Sequence, residues 1–265
     1  MWTLLITFHM QKTISQFSHL NCIHIFYKLI ITFLLCTGTT SFFQPTADSN
    51  NDMLVYVMNP NTEHLQLYWK NDNNEPLLNF KNLKSFVESK QERLVFAMNG
   101  GMYMTDNSPL GLFIENGKTI TILNRSKGKG NFYLAPNGVF FINRKNVAGI
   151  CPSSDFKKKK DVAFATQSGP LLLWNGHIHP AFVKGSVNLN IRNGVGILPD
   201  NKIVFVMSKQ QVNFYDFAMY FKSLGCKEAL YLDGFVSRTY LPEQNWIQTD
   251  GNFGVMIGVT KPAKH

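Results

Sequence analysis

A chain of 265 residues with 45% hydrophobic and only 16% charged side chains can bury a full core, which excludes an intrinsically disordered protein. Its 26 Lys+Arg against 17 Asp+Glu give a formal charge of +9, which favours anionic partners such as phosphates, polyanionic glycans or anionic lipid. The basic residues are scattered and no RNA-binding signature occurs, so nucleic acid is not expected as a partner.

Residues 1–44 differ from the rest, with Lys12 and Lys28 as their only charged side chains. The apolar run 29–36 follows Lys28 and precedes the small, polar 37–41, the pattern of a secretory signal. The run is short against the roughly 20 apolar residues of a membrane span. Residues 1–44 are therefore expected to be a signal peptide or an N-terminal membrane or lipid anchor (Cys36 raises lipidation), and 45–265 a single domain. The expected location is exported: periplasmic or secreted, membrane-anchored or lipoprotein, with membrane association through the N-terminus only. Cys151 and Cys226 could form one disulfide or remain two buried thiols, and no C-x-x-C or zinc spacing exists.

Strands are expected at 53–58 and 64–69, paired as a hairpin across Asn59-Pro60-Asn61. A short helix is expected over 80–89, where Leu83, Phe86 and Val87 share one side. The buried strand 94–98 runs into Asn99-Gly100-Gly101, read as a turn whose backbone amides could approach an anion. Asn116-Gly117 between apolar runs signals a hairpin. The basic, glycine-rich 124–131 (Arg125, Lys127, Lys129) reads as a solvated loop or a contact for a phosphate-bearing substrate. Further strands are expected at 132–134, 139–142, 162–166 and 171–174, and the lysines at 157–160 read as an exposed loop. His177 and His179 follow the Asn175-Gly176 turn on one face of a strand, but no nearby carboxylate completes a metal set. Ser168 lacks a G-x-S-x-G elbow. Arg192 stands beside a glycine-bearing turn before the strand 202–207, suited to bidentate phosphate or carboxylate recognition or to a surface salt bridge.

The most informative stretch is 229–237, ALYLDGFVS. Phe214, Phe217, Ala218, Phe221 and Leu224 recur at helical spacing before it, and Gly225 stands where a left-handed C-cap is wanted. Residues 229–232 are a short apolar strand ending on Asp233 and then Gly234, a turn. A carboxylate there can aim into a cleft, or can cap the turn through its own backbone. A last strand is expected over 252–259.

Four motifs in order, Asn99-Gly100-Gly101-Met102-Tyr103, Gln167-Ser168-Gly169-Pro170, Arg192-Asn193-Gly194-Val195-Gly196 and Leu232-Asp233-Gly234 followed by Ser237, resemble the phosphodiester glycosidase family (the uncovering-enzyme-like domain). Pro109-Leu110-Gly111, Pro136-Asn137-Gly138 and Asn213-Phe214 are similar to its small bacterial, YigE-like subgroup. The resemblance spans roughly 54–259. It implies an α+β domain with a strongly curved, largely antiparallel β-sheet and a few packed helices. It also implies hydrolysis of a sugar-1-phosphodiester, of the N-acetylglucosamine-1-phosphodiester type, in exported or envelope glycans. The sequence departs from the family's glycine-rich turn at Phe235 and Val236. On this reading Asp233 is the essential carboxylate, Arg192 the phosphate clamp, and Asn99 orients a sugar hydroxyl or the phosphate. Gly100, Gly101, Asp106, Ser168, Gly169, Asn193, Asn213, Gly234 and Ser237 complete the expected substrate site. No cofactor or metal is expected, with a bound divalent ion such as calcium left open, and the partner is the phosphorylated glycan or sugar-1-phosphodiester. Two other readings stand beside it. One is a non-catalytic, exported glycan- or polyanion-binding protein retaining the fold. The other is a metal-dependent phosphodiesterase, which the lack of a clustered His/Asp set disfavours.

Overall fold

The computed structural model describes residues 52–157 and 161–263. The leader read in 1–44, with Cys22 and Cys36, and the lysines at 158–160 lie outside the described residues. In chain order the strands are β1 (Met53–Met58), β2 (His64–Tyr68), β3 (Glu92–Gly101), β4 (Phe113–Glu115), β5 (Lys118–Thr121), β6 (Gly138–Asn143), β7 (Ala148–Pro152) and β8 (Val162–Ser168). They continue as β9 (Leu171–Trp174), β10 (His177–Ile178), β11 (Asn193–Ile197), β12 (Ile203–Ser208), β13 (Ala229–Asp233), β14 (Thr239–Leu241), β15 (Trp246–Ile247) and β16 (Val255–Pro262). Two helices, α1 (Phe80–Ser89) and α2 (Phe214–Ser223), complete the α+β fold.

Three open antiparallel sheets enclose one core. Their orders are β1-β12-β11-β13-β9-β10, β15-β14-β3-β16-β2 and β5-β4-β8-β6-β7. The period-2 rule explains which side chains meet there: in β12, Ile203, Phe205 and Met207 enter the shared core while Val204 and Val206 turn outward under α2. In β13, Leu230 and Leu232 point in, and Ala229 and Tyr231 point to the helix side. Register shifts at Asn193/Gly194, Ala229/Leu230 and Val255/Met256 curve the strands.

Each helix covers an outer sheet face with its apolar stripe. Helix α1 lays Phe80, Leu83 and Val87 over β3 and β16, and Asn79 Oδ1 caps it by accepting the Asn82 N–H at 2.9 Å. Helix α2 buries Phe217, Ala218 and Phe221, and ends ahead of Gly225, whose φ of 85° is the left-handed conformation expected there.

The structure corrects several local expectations. Strands β1 and β2 do not form a hairpin: β1 pairs with β12 and β2 with β16, so Asn59-Pro60-Asn61 carries the chain between sheets. Asn99, Gly100 and Gly101 are not a turn but the end of β3, because glycine here supplies space. A Cβ on Gly100 would lie 2.5 Å from the Ile257 side chain. Gly194 and Gly196 likewise lie within β11, against the Leu230 carbonyl and Phe221. Residues Asn131–Tyr133 form a 3-10 turn where a strand was expected. His177 is exposed while His179 is buried, its ring stacked on Phe182 at 4.8 Å, so the two do not share a surface. Cys151 and Cys226 are separate free thiols, and burial pushes them up to about 11 and about 12.

Candidate active site

Two sheets meet at the end of β13, and the join is made of amides. Asn193, first residue of β11, donates its Nδ2 to Asn99 Oδ1 (2.7 Å) and to the Asn99 carbonyl (3.0 Å) on β3. Its Oδ1 accepts the Asp233 N–H at 2.8 Å. Asn99 Oδ1 also accepts the Arg238 N–H at 2.9 Å. Asn193 can join the two strands in this way because its amide carries both a donor and an acceptor, which accounts for asparagine at that buried position. Serine hydroxyls hold the same strand end: Ser168 Oγ donates to the Leu232 carbonyl (2.7 Å), and Ser237 Oγ to those of Asp233 (2.9 Å) and Ile191 (3.2 Å).

Asp233 sits in the middle of this network, 7% exposed. Its Oδ1 accepts the N–H groups of Gly234 (2.6 Å) and Phe235 (3.2 Å). The carboxylate thus caps its own turn and also lines a cleft, so the two readings of the sequence coexist. Burial raises its pKa from 3.8 to about 6, against the pull of the two turn N–H groups and the adjacent Asn99 amide. Asn99 Nδ2 is buried and makes no well-formed hydrogen bond, but it acts as a donor toward the Asp233 carboxyl and lowers its pKa. Gly234 is required for space: a Cβ there would fall 1.4 Å from the Tyr231 hydroxyl.

The cleft has a volume of about 280 Å³, with Asp233 as the sole acidic group lining it. Tyr103, Lys129, Asn131, Tyr133 and Phe235 form walls and rim. None of these five was among the expected site residues, although Tyr103 closes the first quoted motif and Lys129 belongs to the basic loop. Burial and the nearby Asp233 charge raise the Tyr103 hydroxyl. Larger grooves lie elsewhere, one of about 620 Å³ beside Trp69 and Glu115, but they hold no part of the Asp233 network.

The remaining expected residues separate from this cleft. Arg192 is completely buried. Its Nε donates to the Val212 carbonyl (2.8 Å), Nη2 to the Asn188 carbonyl (2.8 Å), and Nη1 to the Tyr231 hydroxyl (3.3 Å). The guanidinium lies 3.6 Å over the Phe214 ring and has no carboxylate partner. Gly101 backs onto Thr166 Oγ1 and Gly169 onto Asn137, both in close packing. Asn213 caps α2 through the Asp216 N–H (2.8 Å). Asp106 lies in an exposed turn, its Oδ1 accepting the Ser108 N–H and hydroxyl. Among the described residues no cluster of three or more His, Cys, Asp or Glu side chains is arranged to hold a metal ion.

Comparison with known proteins places this geometry among relatives. The phosphodiester glycosidase family profile matches residues 92–260, which include every residue of the Asp233 network. The uncharacterized protein YigE of Escherichia coli (strain K12) is 41% identical over 196 residues, covering 74% of this chain and 76% of the relative. The catalytic domain of zebrafish N-acetylglucosamine-1-phosphodiester alpha-N-acetylglucosaminidase, auto-inhibited by its pro-peptide, has a similar fold. Its TM-score is 0.50 at 14% identity, over 78% of this chain and 88% of that one. A protein from Burkholderia pseudomallei K96243 superposes with a TM-score of 0.52 at 10% identity, over 78% and 73% of the two chains.

Proposed function

Because the chain belongs to the phosphodiester glycosidase family, we propose that it hydrolyses the bond between a sugar's anomeric carbon and a phosphodiester, with Asp233 as the reacting carboxylate. The observation that carries this reading is the lone buried carboxylate on the cleft. Ordinary glycosidases use two carboxyl groups, one of them to protonate the leaving oxygen. A phosphate ester leaves without that help, so a cleft with one acid matches a phosphodiester better than a simple glycoside. As the C–O bond breaks, positive charge grows on the sugar ring, and ionised Asp233 faces it. Water supplies the hydroxyl that ends on the anomeric carbon, and the phosphate monoester departs with the bridging oxygen.

The residues divide the remaining work. Asn99, fully buried beside Asp233, acts on the carboxyl from within the protein rather than touching the substrate. Lys129 on the cleft wall supplies a positive charge for the phosphate, a part that buried Arg192 is poorly placed to take directly. Arg192 instead braces the Tyr231 hydroxyl on which Gly234 rests. No cofactor is invoked. The proposed setting is the cell exterior or envelope, motivated by the leader pattern in 1–44 and by the +9 charge, with a phosphorylated glycan of the N-acetylglucosamine-1-phosphodiester type as substrate.

The burial of Arg192 favours a second reading, a non-catalytic glycan- or polyanion-binding protein, since it leaves no guanidinium in the cleft. Hydrolysis of a panel of sugar-1-phosphodiesters separates the two. Free sugar released by the wild type, retained in chelator and lost in folded Asp233→Asn, is the outcome expected of the glycosidase. Binding of the same compounds without release would establish the second reading.

A further inference from the structure

We infer that Phe235, with Tyr133 and Lys129 on the same cleft, forms a subsite for the aglycone, and that it selects phosphodiesters carrying a ring with an open apolar face directly beyond the phosphate. The inference rests on the glycosidase reading for what the cleft holds, but its physical basis is separate. Phe235 is 95% exposed and is the only exposed aromatic side chain among the described residues. A phenylalanine left in water on a tight turn forgoes one of the larger apolar gains available to a side chain. It makes no ring contact with any other aromatic residue of the described chain, so its face is open.

The turn that carries it is nevertheless held in place. The Phe235 N–H is bonded to Asp233 Oδ1, and the next residue, Val236, packs against the apolar cluster under α1. The ring is thus presented from an anchored backbone two residues from the reacting carboxylate. Exposure sets the direction of the bound substrate. Asp233 is 7% exposed and Phe235 95%, so a substrate whose anomeric carbon meets the carboxylate has its sugar inward and its aglycone at the rim. Lys129 lines the same cleft and suits the phosphate between them, while Tyr133 offers a second ring for the outgoing group.

The test compares two diesters of α-N-acetylglucosamine-1-phosphate, phenyl and ethyl, binding by calorimetry to the full chain carrying Asp233→Asn so that neither is consumed. Phenyl is expected to bind about tenfold tighter than ethyl, the scale of one aromatic stacking contact. Adding Phe235→Leu should collapse that ratio, and Phe235→Tyr should keep it. A ratio near one with Phe235 present, or a ratio untouched by Phe235→Leu, would overturn the subsite. Turnover by the wild type is read separately. Hydrolysis of both esters without ring preference leaves the glycosidase and removes the subsite, whereas ring preference without hydrolysis does the reverse. Failure of both esters to bind removes the subsite, and the glycosidase falls with it only if the wild type also hydrolyses neither.

Discussion

Asp233, which ends β13, and Arg192, which directly precedes the neighbouring β11, are both buried ionisable residues, and neither pairs with the other. Arg192 has each of its nitrogens bonded to a neutral oxygen and its flat face against Phe214, so burial has consumed its chemistry. Asp233 has one oxygen committed to its turn and lies on the wall of a cleft. Burial therefore does not mark a functional group. What separates the two is whether hydrogen-bonding capacity is left over where a ligand can reach it.

The largest effect that could break this contrast is on turnover. Asp233→Asn should lower kcat/KM about a thousandfold or more, the scale of losing a main electrostatic contribution to a transition state. The same variant should be more stable than wild type at pH 7.5. A carboxyl whose folded pKa is raised to about 6 adds stability only while protonated, and that contribution is lost as pH rises from about 4 through 6. Removing the charge should therefore gain about 2–3 kcal/mol at pH 7.5 and little at pH 4, read from denaturant melts. For the same reason wild-type kcat/KM should rise with pH through about 6, since the proposed reaction uses the ionised form.

Arg192→Met should act on the fold. It removes the hydrogen bonds to the Val212 and Asn188 carbonyls and the Tyr231 hydroxyl together with the stacking on Phe214, with an expected loss of about 3 kcal/mol. Arg192→Lys should not rescue it, because a point charge cannot span three separated acceptors. A stable Arg192→Lys protein with raised KM would instead put the guanidinium on the substrate. Smaller is Gly234→Ala, expected to cost about 1–3 kcal/mol by collision with the Tyr231 hydroxyl, part of it restored in a double variant with Tyr231→Phe. Smallest is Asp106→Ala, whose exposed turn should leave the denaturant midpoint and turnover close to those of the wild type.

The sequence shows the elements better than their partners. Helix α2, the strand ending on Asp233 and the Asn116-Gly117 hairpin are local, written in periodicity and turn residues. That β1 joins β12 is a contact across about 150 residues, for which a pattern of alternating apolar residues carries no address. Glycine misled in a consistent way. At Gly100 and Gly194 it reads as a turn because turns are its commonest use, yet here it admits a neighbouring chain inside a strand. Arg192 beside such glycines therefore looked exposed. Asp233 was legible because a carboxylate following four apolar residues is costly wherever it lands. Lys129, Tyr133 and Phe235 belong to loops whose convergence only the fold supplies.

The Asn99–Asn193–Asp233 junction also has a meaning in time. Its members are 94 and 40 residues apart in the chain, and each supplies the hydrogen bond another requires. Such a junction cannot form from any one hairpin; it closes only after two sheets have been built and brought together, which places it late on a folding route dominated by distant pairings. The raised pKa of Asp233 is then acquired at the end of folding, together with the shielding that causes it. A partly assembled chain would display the acidity of an ordinary aspartate, so titration of this one group reports whether a given molecule has finished folding.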